Sequence, residues 1–320
     1  MRTGLSIYSL WNAWRKGLMT VEEEFAAMRE MGCEATEIAN FAVPLHKGPK
    51  GAEFKGPPDF EMAKRFVELS EQYQVPIGAY SCGSNIARVS REEYPVMLER
   101  LYAEIELARA LKAPLIRIDL VTVMAGRDEV GVEAFDAMFP QAVEAARALA
   151  DYAKQYDMWV TVENHGTFMN GADRVRKLIK AVDRENYGLT MDIGNTVCVD
   201  EDPMVLASEL IDLAKEIHVK DFYIRNDPYA IGAKYVDGYT VADPSVLGNG
   251  SWLTTKHQRY LRGAIVGHGD LPMKDLISLI VRSGFDGDVL IEFEGMEEPV
   301  LASQISLNNL RQMIRMAEKK

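Results

Sequence analysis

The chain has 320 residues, of which 48% are hydrophobic, with 48 acidic against 36 basic residues and a formal net charge of −12. That is enough apolar material for a large core, under an acidic field that disfavours nucleic acid phosphates and anionic membrane surfaces as partners. Cys33, Cys82 and Cys198 are too few and too scattered for a disulfide framework or a Cys-x-x-Cys zinc site, which fits a reducing, cytoplasmic setting. No run reaches the roughly 18 apolar residues of a spanning helix, and Met1 leads into a strand-like run without a leader pattern. A soluble, unprocessed protein is expected.

Strand-like runs alternate with helical patterns from end to end. Leu5–Leu10 reads as a first strand, and Thr20 with Glu23 at capping-box spacing opens a helix that stops near Gly32. Ala35–Ala39 is a second strand, 40–58 a Gly-, Pro- and Lys-rich loop, and Phe60–Tyr73 a helix. Strands follow over Val75–Ser81, Leu115–Leu120 and Met158–Asn164, separated by helices over Glu92–Leu111 and Glu133–Tyr156. After a helix over Asp173–Val182, strand six ends at Asp192, a helix covers Met204–Ala214, and strand seven carries His218.

Between Phe222 and Gly267 the pattern dissolves into a long Gly-rich excursion with Asp227, Pro228, Tyr229, Tyr235, Tyr239, Trp252 and Tyr260. Loops of this length are usually functional or disordered, and the aromatic content argues against disorder. A helix over Met273–Arg282, strand eight over Asp288–Glu294 and a helix from Ala302 to Glu318 complete the chain. Eight strand–helix units without a linker predict a single (β/α)8 TIM barrel over 1–320, with 222–267 inserted after strand seven above the barrel mouth.

The strands also predict where the chemistry sits. In Val160-Thr-Val-Glu163 the valines share one face and Thr161 and Glu163 the other. Asp192, His218 and Glu292 have the same relation to the apolar residues of their own strands. All four fall at C-terminal strand ends, where TIM barrels place reacting groups. Three converging carboxylates and an imidazole call for a positive charge among them, most simply one divalent cation. Oxygen-rich ligation with one nitrogen puts Mn²⁺ first, with Mg²⁺, Co²⁺, Zn²⁺ and Ni²⁺ as alternatives.

Other polar residues are weaker candidates. His165, two residues beyond Glu163, suits a substrate hydroxyl or a second acid–base role. Lys220 shares the parity of His218 and suits an oxyanion, and His268, between two glycines, suits either a substrate contact or a turn. Glu294 lies one pleat above Glu292, in reach of substrate or of the ligands. Arg117 and Asp119 suit an internal ion pair bracing the barrel. No Gly-rich phosphate loop is present, only scattered glycines such as Gly248 and Gly250.

Glu163 in VENH, Asp192 in MDIGN, His218 in IHVKD and Glu292 in LIEFEG resemble the four metal ligands of the xylose isomerase-like sugar phosphate isomerase/epimerase superfamily, the AP endonuclease 2-like TIM barrels. That superfamily includes ketose 3-epimerases, inosose dehydratase and endonuclease IV. The resemblance implies a (β/α)8 barrel, one divalent metal and a polyhydroxy carbonyl substrate. It also implies that Glu163 and Glu292 exchange a proton with the carbon beside the carbonyl, by enediolate chemistry. Asn195 stands where ketose epimerases carry a substrate-binding histidine, and Arg225 only approximates their arginine, which departs from ketose epimerisation itself. Asn195 and the acidic charge likewise depart from endonuclease IV.

The excursion running into Tyr260-Leu-Arg-Gly-Ala-Ile-Val-Gly-His-Gly-Asp270 resembles catalytic subunits of C-glycoside deglycosidases, lyases that cleave 3-keto C-glycosides by elimination. That resemblance gives Trp252 and its neighbours a use in stacking on a sugar or planar aglycone; an apolar plug or a subunit interface accounts for them equally. The expected activity is therefore that of a metal-dependent sugar isomerase, epimerase or lyase, with a non-catalytic sugar-binding or scaffolding subunit as the alternative. Its expected partners are a small-molecule carbohydrate or glycoside, further copies of itself in a homo-oligomer, and a small second subunit on the C-glycoside branch.

Overall fold

The structure, a computed structural model, describes residues 1–48, 56–121, 131–226, 235–236, 239–240, 252–257 and 259–319. Eight parallel strands close into a barrel: β1 (Arg2–Ser6), β2 (Ala35–Ala39), β3 (Ile77–Gly83), β4 (Leu115–Asp119), β5 (Trp159–Glu163), β6 (Tyr187–Asp192), β7 (Ala214–Val219) and β13 (Asp288–Ile291). Around the ring the order is β1-β13-β7-β6-β5-β4-β3-β2. Helices α2 (Val21–Glu30), α3 (Phe60–Tyr73), α4 (Tyr94–Ala110), α5 (Val132–Ala153), α6 (Ala172–Val182), α7 (Pro203–Leu210), α8 (Met273–Ser283) and α9 (Pro299–Glu318) follow the strands in turn.

Local sequence explains the helix ends. Thr20 and Glu23 form the anticipated capping box at the start of α2, satisfying amides that the first turn leaves without partners. Gly32 follows that helix at φ +73°, the left-handed conformation that glycine adopts without steric cost.

Strand parity divides the barrel into two environments. Outward residues such as Leu5, Ile38, Ile116, Val160, Leu189 and Ile217 join the apolar core beneath the helices. Paired inward positions carry Ser6 and Glu37, Ser81 and Arg117, Glu163 and Thr190, and Asp192 and His218. This polar interior contrasts with the branched apolar layers usual in such barrels.

Two expectations are corrected. The first strand ends at Ser6; Ile7–Leu10 is a 3-10 turn leading into α1 (Trp11–Arg15). The alternation of Leu5-Ser-Ile-Tyr-Ser-Leu10 fits a strand, but Ile7 and Leu10 also share one side of a tight turn and are both fully buried. Ser9 fixes that turn by donating to Ile291 O (3.0 Å) and accepting from Phe293 N (2.9 Å).

The excursion, for its part, is not patternless. β8 (Asp221–Arg225) pairs antiparallel with β12 (Tyr260–Ala264), and β11 (Leu253–Thr254), β10 (Tyr239–Thr240) and β9 (Tyr235–Val236) extend the sheet. Strands of two residues are too short to show periodicity. Asp227, Pro228, Tyr229, Gly248 and Gly250 lie outside the described residues. Gly263 on β12 bridges to Gly295, and a Cβ at Gly263 would lie 2.4 Å from the Glu294 backbone, so glycine permits this close contact. Cys33, Cys82 and Cys198 are free thiols. Among the described residues no helix is long and apolar enough to cross a membrane.

Candidate metal centre

Glu163 ends β5, Asp192 ends β6, His218 is the penultimate residue of β7, and Glu292 directly follows β13. All four are buried, and one candidate ligand atom from each lies within 4.8 Å of every other. The strand ends are tied together locally. Asn164 Nδ2 donates to Asp192 O (2.8 Å) and its Oδ1 accepts from Asp192 N (2.9 Å). Asp192 Oδ1 accepts from the amides of Gly194 (2.7 Å) and Asn195 (2.8 Å).

The remaining atoms point at one another. Among the described residues Asp192 Oδ2 and His218 Nδ1 make no hydrogen bond, whereas buried polar atoms are nearly always satisfied. His218 Nδ1 lies 3.5 Å from Glu163 Oε1 and 3.8 Å from Glu292 Oε1. Three carboxylate oxygens and one imidazole nitrogen, buried and converging, fit a divalent cation with hard oxygen ligation.

The protein also places two cations of its own beside the cluster. Arg117 Nη1 donates to Glu163 Oε2, and its Nε lies 3.9 Å from both Asp119 and Glu37. The expected Arg117–Asp119 pair therefore exists, but the closest carboxylate to Arg117 is that of Glu163. Lys220, also buried, reaches Glu292 Oε2 (2.5 Å), Glu294 Oε1 (3.0 Å) and Asp192 Oδ2 (3.3 Å).

These distances decide how protons distribute. Burial raises the Asp192 carboxyl to about 7, against the opposing pull of Lys220. Burial opposes charge on Glu292 too, but the closer Lys220, with His218 and Arg117, outweighs it and holds Glu292 well below the usual carboxylate range. With Glu37, Asp119, Glu216 and Glu294 nearby, carboxyl groups outnumber these two cations in the interior.

The other expected residues divide into two groups. Asn195 Nδ2 donates to Glu163 Oε1 (3.1 Å), and Lys220 and Glu294 contact Glu292 or each other, so these join the cluster. His165 Nδ1 lies 3.1 Å from Asp119 Oδ2, and Asp119, Glu163 and His165 form a further close group. Burial works against a proton on His165, but the Asp119 carboxylate outweighs it and raises the imidazole to about 9.

His268 is exposed in the turn after β12, its amide donating to Ile265 O (2.8 Å). Trp252 is buried on the antiparallel sheet, with the Arg262 guanidinium 5.0 Å from its ring centroid. Neither belongs to the group of converging ligand atoms. Glu37, Glu216 and the Asp119–His165 contact were not anticipated. For Glu37 and Glu216 the signal was a charged inward residue in the middle of a strand rather than at its end, whereas Asp119 ends β4 and His165 lies two residues past β5, and no local pattern shows that they meet.

A closed parallel barrel with a buried, oxygen-rich ligand cluster at its C-terminal strand ends defines a (β/α)8 protein with a candidate cation site in the barrel mouth. The model of the xylose isomerase-like TIM barrel family matches residues 25–313, and the chain belongs to that family.

Among its relatives, the inosose dehydratase of Clostridium tetani (strain Massachusetts / E88) is 25% identical over 158 residues, 49% of this chain and 47% of that protein. The chain thus spans about half the length of the curated relatives it matches. A xylose isomerase-like TIM barrel protein from Mycobacterium smegmatis, in complex with magnesium, superposes with a TM-score of 0.65 at 16% identity, covering 92% of this chain and 88% of that one. The 3-keto-D-glucoside 4-epimerase YcjR from E. coli gives 0.63 at 14% identity over 98% and 99%. At these identities the likeness to the solved structures is one of fold.

Proposed function

We propose that the chain is a divalent metal-dependent enzyme that removes a proton from the carbon beside a sugar carbonyl, ending in isomerisation, epimerisation or elimination. The observation that carries this reading is the convergence of Glu163, Asp192, His218 and Glu292, with Asp192 Oδ2 and His218 Nδ1 left without hydrogen bonds. The donor set suits Mn²⁺ first, as expected from its oxygen content, and the magnesium complex of the M. smegmatis protein gives precedent for a cation in this fold. When bound, such an ion supplies Lewis-acid polarisation of a substrate carbonyl and its neighbouring hydroxyl, which acidifies the adjacent C–H.

Glu163 and Glu292 form the proton-transfer pair. β6 and β7 stand between their strands in the barrel order, so the two carboxylates approach from different sides. Arg117 engages Glu163 Oε2 and Lys220 engages Glu292 Oε2, leaving Oε1 of each on the His218 side. Asn195, Lys220 and Glu294 surround that space and bind substrate hydroxyls. The antiparallel sheet after β7, with Trp252, and the turn that carries His268 contribute to the substrate's surroundings, and the protein acts as a homo-oligomer.

The Asp119–His165 contact favours elimination as the endpoint. Moving one proton between two faces of a carbon needs two carboxylates, whereas elimination also needs a donor for the leaving group. Asp119 orients His165 through Nδ1 and leaves Nε2 to serve as that donor. The relation to inosose dehydratase points the same way. The leaving group is then a hydroxyl or, on the C-glycoside branch, an aglycone carbon.

Purified protein is expected to contain about one divalent ion per chain and to incorporate solvent deuterium beside the carbonyl of an inosose or 3-keto glycoside in D₂O. Glu163→Gln should lower turnover by about 10²- to 10⁴-fold, and His218→Ala should lose the metal. Variants that keep full metal content and full turnover would defeat the assignment. A wild-type protein inert on ketoses, inososes and 3-keto glycosides, with no deuterium uptake, would leave the binding-subunit alternative.

A further inference from the structure

Behind His218, away from the candidate cation site, two more carboxylates meet its other ring nitrogen. Nε2 lies 3.6 Å from Glu37 Oε2 and 3.6 Å from Glu216 Oε2. Glu216 comes from the same strand, two residues earlier and therefore on the same face. Glu37 comes from β2, which β13 and β1 separate from β7 in the barrel order, so its side chain crosses the interior.

Each carboxylate is braced through the oxygen that faces the ring. Ser6 Oγ donates to Glu37 Oε2 (2.6 Å), and Thr190 Oγ1 donates to Glu216 Oε2 (3.3 Å) while sharing a second hydrogen bond with Thr161 (2.8 Å). Ser6 and Thr190 sit on β1 and β6, the staves adjoining β2 and β7. Glu37 and Glu216 are 0% and 2% exposed, and Oε1 of each makes no hydrogen bond among the described residues, that of Glu37 lying 3.9 Å from Arg117 Nε.

Burying two carboxylates, each with an oxygen that accepts no hydrogen bond, is costly, and apolar side chains ordinarily fill such a layer. Packing alone therefore does not account for them. A ligating imidazole does have a use for them: a carboxylate that accepts from the non-ligating ring N–H fixes the ring's rotation and tautomer, and leaves the opposite lone pair free. The two separations are equal and about half an ångström beyond a hydrogen bond, so a small ring rotation brings Nε2 onto either oxygen.

We propose that Glu37 and Glu216 are positioning residues for His218, accepting its Nε2–H so that Nδ1 is the nitrogen presented to the space between Glu163, Asp192 and Glu292. This inference rests on the metal reading above. It assigns work to residues that touch neither substrate nor cation.

The test compares the full-length wild type with Glu37→Gln/Glu216→Gln and Glu37→Met/Glu216→Met, titrated with Mn²⁺ by calorimetry, with the Tm of each metal-free protein recorded. Affinity should fall in the order wild type, Gln pair, Met pair, with the Met pair about 10- to 100-fold weaker and the metal-free Tm unchanged or higher. Nitrogen-15 NMR of the Zn²⁺-loaded wild type should show the proton on Nε2 of His218 and the metal on Nδ1.

An affinity within about threefold across the series, or a Zn²⁺-loaded ring protonated on Nδ1, overturns the proposal. Because a Met pair that fails to fold would blur the comparison, the volume-matched Gln pair and the NMR measurement decide it independently. A wild type that binds neither ion overturns the metal reading itself, an outcome distinct from a wild type that binds and a double variant that binds equally.

Discussion

Glu24, on α2, is fully buried and neither of its carboxylate oxygens has a hydrogen-bond partner among the described residues. Burial alone raises its pKa well above the usual carboxylate value, so the folded state holds this proton more tightly than the unfolded chain does. Above about pH 4.3, where an unfolded glutamate ionises, this group therefore takes stability away as pH rises, by about 1.4 kcal/mol per unit until the folded value is passed. Below that range it costs nothing beyond its burial. Glu24→Gln is expected to match the wild type near pH 4 and exceed it increasingly toward pH 7 in urea denaturation; a difference independent of pH would rule this out. A buried carboxylate can thus mean opposite things in one barrel: Glu24 has no cationic or imidazole partner among the described residues, whereas Glu37 and Glu216 flank a nitrogen.

At the scale of elements, Asp221 does the most with one side chain. Its Oδ2 accepts from the amides of Gly267 and Gly269 (2.9 Å each), and its Oδ1 from Phe222 (2.8 Å) and Leu271 (3.3 Å). The start of β8 is thereby fastened to the turn that leads from β12 into α8. Asp221→Ala would leave these amides, buried at Phe222 and Leu271, without their carboxylate partner, at a cost on the order of 3 kcal/mol. Denaturant titration showing a loss under about 0.5 kcal/mol would mean that water replaces the carboxylate without penalty.

The sequence displayed the barrel elements well and this fastening not at all. Helical period marked Phe60–Tyr73 at its observed bounds, because a long amphipathic helix repeats its signal several times. Asp221 contributes contacts to residues far along the chain, which no local pattern records. The same contrast holds in the site: Glu163, Asp192, His218 and Glu292 stand out at strand ends, while Arg117 and Lys220 find most of their carboxylate partners on neighbouring staves that are distant in sequence.

For the molecule as a whole, a ligand that binds the folded chain alone must stabilise it. Mn²⁺ at about a hundred times its dissociation constant should add about 2.7 kcal/mol, visible as a rise in Tm that a chelator reverses. Asp192→Asn should abolish that rise; an equal rise in the variant would place the ion elsewhere.

The alternation of inward and outward residues along every stave has one more consequence. The side chains that hold the helical shell in place and the polar groups of the interior occupy opposite sides of the same backbone, so the two sets can be exchanged separately. Such a scaffold can be handed a new reaction by exchanging a few interior groups, with its outer architecture inherited intact.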